Sequence, residues 1–121
     1  MKTQYYRLEG HTPVPCDDLM TWAMAFEGTD RRVGWDVVDD VTISTVFLGL
    51  DHNYRDYGPP ILFETMTFIG DTPESLWRYS TWDKAAAGHK AAVDAVRRHD
   101  DAAFDHASAL VGHLRSLKQR A

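Results

Sequence analysis

Two runs rich in β-branched and aromatic residues, Val41–Leu50 and Ile61–Ile69, bracket ten residues of a different character, Asp51–Pro60. Side chains of this kind fit a pleated, half-buried surface. In the first run Val41, Ile43, Thr45 and Phe47 fall on one face of a strand. Its end, Val46-Phe-Leu-Gly-Leu50, is apolar on both faces, as in a strand covered on both sides or bulged at Gly49. In the second run Thr65 and Thr67 share the Ile61/Phe63 face, and Glu64 lies with Leu62, Met66 and Phe68. The two runs are expected to pair as antiparallel strands in the core. The intervening DHNYRDYGPP combines charge, aromatic rings, Gly and Pro, and is expected at the surface, where connecting segments carry most binding residues.

The flanking sequence supplies the remaining elements. Tyr5 to Leu8 reads as a short strand that turns at Gly10, and His11–Cys16 is extended because two prolines fix φ and restrict the residues before them. Asp17 and Asp18 can cap a helix over about Asp18–Glu27, with Leu19, Trp22, Ala23 and Phe26 as its buried face and Gly28 as its stop. Arg32–Val38 reads as a strand turning at Asp39-Asp40. Asp71–Ser75 reads as a polar loop and Trp77–Tyr79 as a short edge strand. A helix from Ser80 or Thr81 to Arg98 carries the stripe Trp82, Ala86, His89, Val93 and Val96, with Gly88 costing about 1 kcal/mol relative to Ala. A last helix to about Lys118 carries Ala103, Ala107, Leu110, Leu114 and Leu117 on one side, widened by Phe104 and Val111. The expected fold is α+β, a small antiparallel sheet of 3–5 strands packed by helices with a helical C-terminal third. Residues 1–98 form the α+β domain, and 99–121 an extension packed on that domain or on a second subunit.

With 121 residues, 44% of them hydrophobic and 12% aromatic, the chain is long enough for one folded domain with a modest core. No stretch approaches the roughly 18 apolar residues of a membrane span, and MKTQYYRLEG lacks the apolar region of a secretory signal. The single cysteine, Cys16, forms no internal disulfide, which fits a reducing cytoplasm. Net charge is −5 and unevenly spread: residues 1–83 carry −8 and residues 84–121 carry +3. That balance disfavours a nucleic-acid binder, which needs clustered positive charge.

No nucleophile elbow, phosphate-binding loop or dinucleotide fingerprint occurs, and no motif calls for a cofactor or a metal. The polar residues that stand out are Asp51-His52, a carboxylate beside an imidazole at a strand end, and Glu64, a carboxylate on an interior strand that needs a partner or a raised pKa. Arg32, Arg78 and Tyr79 are the candidate partners. A set of His52, Glu64 and His89 has no short metal-ligand spacing behind it. His89, alone on an apolar stripe, is expected to hydrogen-bond a backbone carbonyl. His99, His106 and His113 recur every seven residues, about 10.5 Å apart along a helix axis, too far to share one metal ion. Tyr54, Arg55, Tyr57 and Trp77 are the contact candidates, since Tyr, Trp and Arg dominate binding hot spots.

The strings STVFLGLDHNY (44–54), GPPILFETMTF (58–68) and RYSTWDKAAAGH (78–89), with Arg31-Arg32-Val33, resemble a family of small uncharacterised phage and prophage proteins over about residues 5–98. The resemblance implies a protein acting inside an infected bacterium, on host machinery or host defence, and carries no catalytic role. Two functional expectations follow. The first is a non-enzymatic accessory protein that binds a host protein or itself through loop 51–60 and the C-terminal helix. The alternative is a small-ligand or nucleotide-sequestering protein, or weak hydrolase, with Arg32, Asp51, His52, Glu64, Arg78 and Tyr79 around a pocket.

Overall fold

The alternating runs do what their side chains require: they pair, and their shared face is covered. A computed structural model describes residues 4–28 and 30–98. Strands β3 (Arg32–Val38), β4 (Val41–Phe47), β5 (Phe63–Ile69) and β6 (Thr72–Tyr79) form one antiparallel meander in sequence order. Val41 pairs with Ile69 and Phe47 with Phe63, the expected partnership of the two runs. A separate hairpin, β1 (Tyr5–Glu9) with β2 (Thr12–Cys16), turns at Gly10, whose φ of 61° is open to glycine. Helix α1 (Leu19–Gly28) follows that hairpin, and α2 (Trp82–Arg98) lies on the sheet. The α+β expectation is met. The helix expected near Lys118, the histidines beyond Arg98 and the 99–121 extension lie outside the described residues.

One face of the meander is the core. Ile43, Phe47, Phe63 and Trp77 are buried there against Ala85, Ala92, Val93, Ala95 and Val96 of α2. Each fully buried Phe or Ile contributes about 1.5–3 kcal/mol. Tyr6 and Leu8 of the first hairpin and Trp82 close the Phe47–Phe63 end, and the His11 imidazole stacks on Trp82 at 3.8 Å between centroids. The opposite face is more open: Trp35 and Val37 are exposed, and Met66, Phe68 and Leu76 half-buried. No helix among the described residues is long and apolar enough to cross a membrane.

Several local expectations change. Residues 71–75 are not a loop: β6 starts at Thr72, because the turn contracts to Gly70-Asp71 with Gly70 at φ 60°. Pro73 is tolerated because β6 is an edge strand and the ladder shifts register beside it. Strand β4 ends at Phe47 and not Leu50, since Gly49 turns the chain at φ 77°. Beyond it, Leu48 N still donates to Leu62 O, and Leu50 bridges to Tyr5. Of the face foreseen on α1, Trp22, Ala23 and Phe26 are half-buried and Leu19 stands out in solvent. No α1 residue is fully buried, and Leu19 is 57% exposed, because α1 rests on the small hairpin and the Gly49 turn, not on the large sheet. Thr81 caps α2, accepting from Lys84 N at 3.1 Å, and Ala86 is exposed while Ala85 takes its place in the core.

Candidate functional site

Loop 51–60 starts from a buried carboxylate. Asp51 is 8% exposed. Its Oδ1 accepts from Asn53 N at 2.7 Å and from Ile61 N at 3.0 Å, so one atom ties both ends of the loop. The backbone adds Asp51 N to Gln4 O and His52 N to Ile61 O, both at 2.9 Å. Asn53 organises the interior: its Nδ2 donates to Tyr57 O at 3.1 Å and Pro59 O at 2.8 Å, and its Oδ1 accepts from Arg55 N at 3.0 Å. Gly58, at φ 90°, packs against that amide. His52 Nδ1 lies 2.9 Å from Leu50 O. A carbonyl only accepts, so Nδ1 carries the hydrogen and a neutral His52 keeps Nε2 as an acceptor.

From this base the aromatic side chains project outward. Tyr54 is 84% exposed and Tyr57 72% exposed. The Arg55 guanidinium lies 5.9 Å from the Tyr57 ring centroid, and His52 and Tyr54 are 6.1 Å apart. The tyrosines therefore do not fold back over the sheet. Trp77, grouped with them from sequence, is different: it is 5% exposed, in the core beneath α2. Strand β6 is longer than expected, and alternation turns Trp77 with Ser75 to the covered face, so Trp77 presents no surface to a partner.

The residues suggested for a pocket are dispersed. Glu64 and Arg78 face each other across β5 and β6, with Arg78 Nε 3.1 Å from Glu64 Oε2. Of the three partners considered for Glu64 it is Arg78 that is found. Arg32 is level with them beyond Val46 in the same cross-strand row. A half-exposed pair of this kind contributes about 0–1 kcal/mol. Tyr79 belongs to the opposite, helix-covered face. There burial raises its pKa above the ordinary phenol value, a hydrogen bond with Thr65 acting the other way. Asp51 and His52 are in the loop. A shallow hollow among Arg7, Leu8, Ala25, Phe26, Arg31 and Phe47 encloses about 170 Å³, its open mouth included, below the usual 300–1,000 Å³ of ligand sites. None of the six suggested ligand residues lines it. Among the described residues no three His, Cys, Asp or Glu side chains are placed to hold a metal ion.

Two features were missed from sequence. On α1, Leu19, Met20 and Met24 are 57%, 67% and 69% exposed. The high apolar content of LMTWAMAF on every side of the helix was the available signal. The second is His89, which bonds no carbonyl. Its Nε2 lies 2.7 Å from Asp36 Oδ2 and its Nδ1 2.7 Å from Thr45 Oγ1. Strand alternation puts Asp36 on the face of Gly34 and Val38, an acid on an inward face, and that was the legible sign of a buried partner. No protein-family model, curated protein or solved structure compared with this chain matches it.

Proposed function

We propose that this chain is a non-enzymatic protein-binding module whose contact surface is loop 51–60, with Tyr54, Arg55 and Tyr57 as its anchors. The observation that carries this reading is the combination of two fully displayed tyrosines with a base pinned by Asp51 and Asn53. An aromatic held in place beforehand loses little conformational entropy on binding. The exposed Leu19, Met20 and Met24 of α1 give independent support, since clustered surface apolar groups mark interaction sites and methionine adapts to varied partners. Loop and helix also share a support: Trp22 Nε1 donates to Gly49 O at 3.1 Å, two residues before Asp51. The phage resemblance gives the partner as a protein of an infected bacterium, or a second copy of this chain acting there.

The test is a photo-crosslinking residue placed at position 54 or 57, with solution mass measured in parallel. Crosslinks to one defined protein, or a dimer mass, are expected. The double variant Tyr54→Ser/Tyr57→Ser should weaken the association at least tenfold, about 1.4 kcal/mol, and leave the melting curve unchanged. A strict monomer with no crosslinked partner sinks the reading.

A further inference from the structure

Helix α2 lies on one face of the meander, and the strand register lays out the other face in cross-strand rows. The first row carries charge: Arg32, Glu64 and Arg78 are level with one another across the sheet. The next row is apolar, with Trp35, Met66 and Leu76, and the third brings Val37 level with Phe68. Trp35 is 50% exposed and Val37 59%. Beyond the third row stand the exposed carboxylates of the two turns, Asp39 and Asp40 between β3 and β4 and Asp71 between β5 and β6.

The cations of the first row keep donors for a further acceptor. The Arg32 guanidinium lies 4.9 Å from the Trp35 ring centroid, a contact that uses its face and leaves the N–H groups at its edge. Arg78 gives Nε to Glu64 at 3.1 Å, which leaves its two terminal amino groups. With Glu64 counted, the first row carries a net +1 and the turns carry −3. The face is thus apolar in the middle, cationic at one end of the strands and anionic at the other.

We propose that this face is the contact between two copies of the chain, packed sheet on sheet about a two-fold axis that runs along the rows. An interface of this symmetry needs a surface that complements itself, and opposite charges at the two ends of one face provide that. The axis reverses the strand direction and keeps the order of the strands. Arg32 of one copy then lies over Asp39 and Asp40 of the other, and Arg78 over Asp71, each contact occurring twice. The apolar rows meet between the sheets, about 10 Å apart.

The size of the face sets the strength of the pair. Four strands span about 14 Å and the run from Val46 to Asp40 about 20 Å. That is well short of the roughly 800 Å² per partner of a standard interface, so the pair forms reversibly and only at high concentration. The contact does not rest on loop 51–60. The loop leaves the sheet past the first row, and the axis sets the two loops at opposite ends of the pair.

The experiment is sedimentation of the full chain, with nitrogen-15 amide spectra, over a dilution series from micromolar to millimolar. The mass is expected to rise toward twice that of the monomer. The Trp35, Val37, Met66 and Phe68 signals should shift with it, and added salt should weaken the association. Arg32→Glu alone and Asp40→Lys alone each set like charges opposite one another and should weaken it about tenfold or more. An equimolar mixture of the two variants should restore it, because the new carboxylate of one chain then faces the new ammonium of the other. Tyr54→Ser/Tyr57→Ser should leave this association intact, which separates its fate from that of the loop. A monomer mass at millimolar protein, association indifferent to both charge reversals, a mixture that stays monomeric, or shifts confined to loop 51–60 or α1 overturns the proposal. The wild-type series decides even where a variant fails to fold.

Discussion

The base of loop 51–60 and the interior beneath α2 each hold a polar network anchored by a carboxylate, and they are built from opposite kinds of partner. At the loop, the side chains of Asp51 and Asn53 bond to main-chain N–H and C=O groups. Main-chain groups cannot exchange roles as donor and acceptor, so that network has one arrangement. Under α2, the partners are hydroxyls and an imidazole, each able to donate or accept, so each group's role there is set by its neighbours and not by its own chemistry. The first arrangement suits a fixed display of aromatics at the surface. The second suits the interior, where it holds strands β3 to β5 under one helix. What separates them is the chemistry of the partner group, since both anchors are aspartates.

The largest effect expected from separating the two comes from Gly34→Val. Valine favours strands, so on local propensity the change in β3 would be benign. Its Cβ, however, would lie 2.7 Å from the His89 ring. Overpacking of this sort costs about 1–3 kcal/mol. Displacing His89 also leaves Thr45 with an unmade buried bond, at a further cost of about 1 kcal/mol. A total near 3 kcal/mol should appear as a lower urea midpoint. Amide shifts should change in α2 and β3–β5 and not across 51–61. Disturbed loop amides would show that the networks are one system.

Asp51→Ala is the reciprocal break, with a smaller cost. It removes the acceptor for Asn53 N and Ile61 N, at a cost of about 1–2 kcal/mol. Hydrogen exchange should speed up across 51–61 while the amides of α2 and β3 keep their protection. Partner affinity should fall although Tyr54 and Tyr57 are untouched, because the loop must then be ordered on binding. Asp51→Asn keeps one acceptor oxygen and should restore most of the protection. Unchanged exchange in Asp51→Ala would place the order of the loop elsewhere, in Asn53 and the two prolines.

The legible part of this fold followed from alternation. Val41, Ile43, Thr45 and Phe47 declared a face, and the face was covered. The aromatic loop was legible for the same reason in reverse, since Tyr54 and Tyr57 stand among turn residues with no apolar period to bury them. What escaped depended on distance in sequence. Trp77 looks like a surface aromatic until β6 is extended back to Thr72, and only the register with β5 sets which way it faces. Asp36, Thr45 and His89 are 53 residues apart at most and each is ordinary in its own segment. Their meeting depends on the meander placing β3 and β4 under one helix, which no local pattern encodes. The exposed side of α1 escaped because a helix apolar on most sides reads as a buried one, whatever surface it is given to cover.

The smallest effect concerns a third carboxylate, Asp18, which resembles Asp51 in bonding the main chain but stands in full solvent. It caps α1, accepting from Thr21 Oγ1 at 2.7 Å, Thr21 N at 3.2 Å and Met20 N at 3.3 Å. Those bonds, the Thr21 hydroxyl first, hold its pKa below the ordinary aspartate value of 3.8. The unfolded chain therefore binds the proton first as pH falls. The cap's contribution is present above 3.8 and is lost as pH drops through the lowered folded value. In Asp18→Ala that part of the acid dependence should be missing. The gap between wild-type and variant urea midpoints should be small at neutral pH and should close below the carboxylate range. A gap that persists in acid would mean that the side chain supports α1 through packing and not through its charge, which would separate Asp18 from the fixed carboxylate device at the loop.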